Sequence, residues 1–108
     1  MLGGEKGLQQ ITQRAKAKNI KVIVDSVARI CSSRHHRKYK DLLLHYLDED
    51  GKRNICYGTD GQAQKFTDTA MLNYRKVESW DLLIDEIISF TSKHGIDGIH
   101  LDNGQAWP

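Results

Sequence analysis

Two carboxylates and one imidazole stand where a parallel α/β protein keeps its chemistry. Asp25 closes the β-branched run Ile20-Lys-Val-Ile-Val-Asp, and Asp102 closes the shorter run Ile96-Asp-Gly-Ile-His-Leu-Asp, with His100 two residues before it. In parallel barrels the active site gathers at the carboxyl ends of the strands, because the loops leaving those ends converge on the barrel axis. A carboxylate there is partly desolvated and aimed at the mouth. It can serve as nucleophile, as base, or as acceptor for a sugar hydroxyl. An acid at a strand end also caps the turn that follows, and the residues alone leave both roles open. His100 is open in the same way, between a substrate contact and a satisfied core histidine. Tyr57 and Trp107 can stack on a sugar ring, although burial is the commoner fate of such side chains. His35 and His36 have no carboxylate or cysteine at a supporting spacing, so they read as part of a solvated basic loop and no metal is expected.

The elements that must position these groups follow from apolar spacing. Leu8, Ile11 and Ala15 recur at helical intervals through Glu5–Lys18, and Asn19 is a plausible stop. Residues 20–27 then read as a strand buried on both faces of a parallel sheet. The stretch Cys31–Lys40, rich in Arg, His and Lys, is expected to be a solvated loop. Asp50-Gly51 between the apolar runs of 42–47 and 54–58 predicts a hairpin, since glycine tolerates the positive φ of such turns. Gly58–Thr69 reads as polar loop. Trp80, Leu83, Ile84, Ile87 and Ile88 share one face of a second amphipathic helix that runs to Lys93-His94, with Gly95 as its cap. Residues 96–101 form the second strand, which is expected to lie beside and parallel to the first.

Helix, strand, excursion with a hairpin, helix, strand is an α/β order. The fold class predicted is a partial (β/α)8 barrel segment. Residues 1–30 supply one helix and strand, 31–73 an insertion with the hairpin, and 74–108 the second helix and strand. A complete barrel takes roughly 250 residues, so a chain of 108 residues is expected to be part of one. Charged residues at 28% and hydrophobic ones at 39% suggest neither disorder nor a membrane span. A net charge of +2 is little for a nucleic-acid domain. Cys31 and Cys56 lack zinc-site spacing and are read as free thiols. The start, with no apolar h-region, is not a secretory signal, and cytoplasm is the default compartment.

Three segments resemble glycoside hydrolase family 13, the α-amylase-like enzymes. Ala15-Lys-Ala-Lys-Asn-Ile-Lys-Val-Ile-Val-Asp-Ser-Val is similar to that family's helix and third strand, whose motif is Asp-x-Val-x-Asn-His. Leu72-Asn-Tyr-Arg-Lys-Val-Glu resembles a helix entry, and Gly95-Ile-Asp-Gly-Ile-His-Leu-Asp resembles the fourth strand and its Gly-Phe-Arg-x-Asp motif. The resemblance implies a retaining hydrolase or glucanotransferase acting on an α-glucan or oligosaccharide, with no cofactor. It places Asp102 at the nucleophile and makes Asp25 and His100 substrate-binding positions. His100 stands where the family keeps arginine, and Arg29 and Ile30 stand where it keeps Asn and His. A histidine is shorter and often neutral at pH 7, so it offers Asp102 less permanent charge. The acid on the fifth strand and the His-Asp pair on the seventh have no counterpart here, and the segment alone is expected to be inactive. Two other readings follow from the same residues. One is a degenerate glucan binder, motivated by His100 and Arg29; the other is a nucleic-acid module using Arg34–Lys40, where clustered cations would release counterions. Self-association is expected from the open sheet edges.

Overall fold

A computed structural model describes residues 3–27, 29–31, 33–59 and 65–102. They form two compact units, one from the described parts of Met1–Val27 and Leu82–Trp107, the other from those of Ala28–Asp81. The second helix begins in the latter and continues into the former.

In the first unit, α1 spans Gly4–Ala17. It ends because Asn19 adopts φ 60°, which turns the chain so that the Ile20 amide donates to the Ala15 carbonyl at 2.8 Å and the Asn19 amide to that of Lys16 at 3.0 Å. This double bond pattern satisfies carbonyls that a helix end leaves open. The helix turns one position away from its expected face: Thr12 is buried while Ile11 is exposed. The Thr12 hydroxyl is satisfied by donating to the Gln9 carbonyl at 3.0 Å, which makes its burial tolerable.

β1 (Ile23–Val27) and β7 (Gly98–Asp102) form a two-stranded parallel sheet. The expected parallel neighbours are therefore present, in the register Ile23 to Gly98 through Val27 to Asp102. Asp97 starts the pairing. Its amide donates to the Val22 carbonyl at 2.9 Å and its Oδ2 accepts from the Val22 amide at 2.9 Å. Burial on both faces of β1 is corrected by the structure. Exposure alternates along the strand, and Ile23 is 65% exposed, so the face that carries Ile23, Asp25 and Val27 is open to solvent. Val24, Ser26 and Ile99 take the covered face.

The long helix α3 spans Val77–His94. Gly95 caps it at φ 65°, and the Ile96 amide reaches back to the Thr91 carbonyl at 3.1 Å. Of its expected apolar face only Leu83 is buried; Trp80, Ile84 and Ile88 are exposed. The Lys93 ammonium pairs with Glu5 of α1 at 2.8 Å.

In the second unit, β2 (Arg29–Cys31), β6 (Lys65–Met71) and β5 (Tyr57–Thr59) make an antiparallel sheet in the order β2-β6-β5. Ser33–Lys38 forms the short helix α2, followed by a single 3-10 turn at Lys40–Leu42. Both stretches expected as loops are thus corrected. Cys31–Lys40 is helical over six residues because local i to i−4 backbone bonds need no apolar stripe, and the Tyr39 amide extends the pattern to the His35 carbonyl at 3.0 Å. Residues 65–71 are a strand because Phe66, Thr67 and Thr69 favour the pleated backbone even though the segment is polar.

The expected hairpin is present, with β3 (His45–Leu47) antiparallel to β4 (Arg53–Ile55). Gly51 takes φ 76° at its tip. The core of this unit is Leu43, Ala70, Met71 and Leu72, brought together where the Leu44 amide donates to the Met71 carbonyl and the Met71 amide to that of Cys56, both at 2.8 Å. Cys56 is a half-buried free thiol; the side chain of Cys31 lies outside those described. Among the described residues, no helix is long and apolar enough to cross a membrane.

Candidate functional site

The parallel register brings the three sequence-selected residues onto one face. Asp25 is the Cα partner of His100, and Val27 that of Asp102. Alternate residues of a strand share a face, so Asp25, His100 and Asp102 all project from the exposed side of the β1-β7 sheet; Asp102 ends β7, whereas β1 runs on to Val27, so Asp25 stands at mid-strand opposite His100 instead of closing its strand. All three are exposed.

Asp25 and His100, 75 residues apart in the chain, meet through Nδ1 and Oδ1 at 2.9 Å. Their side chains are 78% and 63% exposed respectively, so the pair orients the ring more than it stabilises the fold. His100 is accordingly no buried core histidine. When Nδ1–H donates to Asp25, the ring is held in one tautomer and Nε2, across the ring, keeps its lone pair. That nitrogen can accept a hydrogen bond from a hydroxyl group. With the ring protonated, both nitrogens donate and Asp25 faces a cation.

Asp102 lies two residues beyond His100 on the same strand and face, diagonal to Asp25. Strand geometry puts the Asp25 and Asp102 Cα atoms about 8 Å apart, from one interstrand step and two residues of rise. The arrangement thus offers one carboxylate engaged by an imidazole and a second carboxylate beside it, in a setting open to solvent.

His36 packs its ring 5.9 Å from that of Tyr57, so Tyr57 is occupied within the second unit. Trp107 lies outside the described residues. Among the described residues no three His, Cys, Asp or Glu side chains come together in a way that would hold a metal ion.

Two features escaped the sequence reading. The Asp25–His100 bond depends on interstrand register, for which the only sequence signal is that both residues occupy alternate positions before a strand end. A hollow in the second unit gathers Arg53 with the neighbours Arg75 and Lys76, and the distance along the chain from Arg53 to that pair hides their proximity. Compared with models of known protein families, with curated proteins and with solved structures, the chain matches none.

Proposed function

We propose that the chain supplies the third and fourth strands of a (β/α)8 barrel of the α-amylase kind, in a retaining glycoside hydrolase or glucanotransferase acting on α-glucans. The observation that supports this reading is the parallel pairing of β1 with β7 in a register that sets Asp25 beside His100 at the middle of the two strands, with Asp102 on the same face at the carboxyl end of β7. In that reading Asp102 is the nucleophile, and the His100–Asp25 pair receives sugar hydroxyls. Retaining chemistry needs a second carboxyl group about 5 Å from the nucleophile to protonate the leaving oxygen and then activate water. Asp25 is engaged by His100, and Asp97 is held at the start of its strand by Val22. Neither is placed for that role, so the chain by itself should bind glucan without turning it over.

Titration with maltooligosaccharides, alongside product assays on starch and glycogen, tests the proposal. Saturable binding that weakens several-fold in Asp25→Asn and in His100→Ala is expected, with no product released. Absence of binding would sink the glucan reading, and Asp102-dependent product release by this chain would overturn the incomplete-site argument. The bond from His100 to Asp25 favours a second reading, a glucan binder without catalysis, because the residue in the family's arginine position is engaged elsewhere. A longer protein carrying this segment separates the two: Asp102→Asn abolishes turnover while leaving binding in the enzyme.

A further inference from the structure

The hairpin β3-β4 and the segment leading into α3 enclose a hollow of about 270 Å³ whose polar lining is cationic. Arg53 rises from the hairpin, Arg75 and Lys76 from the approach to the helix, and His45 and Asn73 complete the polar wall. Among the described residues no carboxylate lines it. Tyr46 and Leu47 form an exposed apolar lip.

The donors here are underused. The Lys76 ammonium donates to the Asp41 carbonyl, which leaves two of its three hydrogens. Asn73 spends its side-chain oxygen on the Arg75 amide at 3.2 Å, and the Arg75 guanidinium has no partner among the described residues. The His45 ring holds a contradiction. Its Nδ1 lies 2.9 Å from the Leu43 carbonyl oxygen and 3.1 Å from Arg53 Nη2. A carbonyl only accepts, so the first contact needs a proton on Nδ1; a guanidinium only donates, so the second needs a lone pair on the same atom. One nitrogen of a neutral or charged ring cannot satisfy both.

We propose that the hollow binds a phosphate dianion, free or as a monoester, between Arg53, Arg75 and Lys76. An anion accepting from Arg53 removes the conflict, because His45 then keeps its Nδ1 proton on the Leu43 carbonyl and the guanidinium fork turns to oxygens it fits. Three cations match a dianion better than the single charge of a carboxylate. The lip of Tyr46 and Leu47 gives the organic part of a monoester apolar surface to rest on.

Amide shifts of the isotope-labelled chain, followed during titration with inorganic phosphate, phenyl phosphate and benzoate at constant ionic strength, test this. Saturable shifts confined to residues 43–47, 53 and 73–76 are expected with both phosphates, and at least roughly tenfold weaker ones with benzoate, which offers fewer charge-assisted bonds. Tighter binding of phenyl phosphate identifies a monoester as the source, and equal binding identifies the free ion. Arg75→Gln, which removes no bond within the described structure, should weaken phosphate binding about tenfold. Ring nitrogen shifts of His45 at about pH 8, above the ordinary imidazole range, should move toward the Nδ1-protonated tautomer as phosphate is added. No saturable shift with either phosphate, equal response to benzoate, or unchanged binding in Arg75→Gln would overturn the proposal.

Discussion

The Asp48 side chain ties the hairpin turn together. Its Oδ1 accepts from the amides of Lys52 at 2.8 Å and Asp50 at 3.1 Å, and its Oδ2 accepts from the Asn54 side chain at 2.8 Å. The Lys52 amide, with the Asn54 amide group next, holds the Asp48 carboxyl below the ordinary carboxylate value. Because the folded value is depressed, the contribution is fully present above the unfolded value of about 3.9 and is lost as pH falls through the lower folded value. Acidification from pH 5 should therefore lower the protection of the Asp50 and Lys52 amides, measured against their intrinsic exchange rates at each pH, before the rest of the unit responds. Asp48→Ala should show low protection of these amides at pH 5 already and no further loss on acidification; an unchanged acid step would assign it to another group. Glu5 is held down in the same direction, chiefly by its hydrogen bond to Lys93, on a surface open to solvent.

At the scale of elements, helix ends carry more of the architecture than helix faces. Gly95 sits at φ 65°, a conformation that raises the energy of most side chains by about 1–2 kcal/mol. A Cβ there would meet Thr12 Oγ1 at 3.6 Å, an ordinary contact, so the penalty is conformational and not steric. Gly95→Ala should lower the unfolding free energy by about 1 kcal/mol in urea titration, whereas Gly95→Asn should lose less because asparagine tolerates this region. Equal losses for both would point to crowding against α1. Trp80 shows a second device at the opposite end of α3. Its indole donates to the Tyr74 carbonyl at 2.8 Å while the two rings lie 4.8 Å apart, tying the first turns of the helix to the segment before it.

Over the whole molecule, apolar surface remains uncovered where the secondary structure is most regular. Ile23, Val27 and Leu101 are exposed on the β1-β7 sheet, and Ile84 and Ile88 on α3. Each strand of that sheet has a single partner among the described residues, so its outer edge offers unpaired backbone groups. Exposed apolar faces and open edges together favour association. Sedimentation velocity is expected to show an apparent mass that rises with concentration, and Ile23→Lys should reduce that rise by placing a charge on the face. A concentration-independent monomer would refute this. Coverage by further strands of a barrel, as in the function proposed above, would answer the same need.

Local chemistry was enough to place most elements. Asn19 and Gly95 marked helix ends because few residues tolerate positive φ, Asp50-Gly51 marked the hairpin for the same reason, and the β-branched run before Asp25 marked a strand. Those signals act over a few residues and are written wherever they act. The pairing of Asp25 with His100, the exposed face of β1, the β2-β6-β5 sheet and the convergence of Arg53, Arg75 and Lys76 were decided only by tertiary structure. A strand's composition does not name its partner or its register, and an apolar run reads alike whether one face or both are covered. The loop-like stretches at Cys31–Lys40 and Gly58–Thr69 misled for a related reason: hydrogen bonds to neighbouring strands, or within a single turn, can order a polar segment that has no apolar period to announce it.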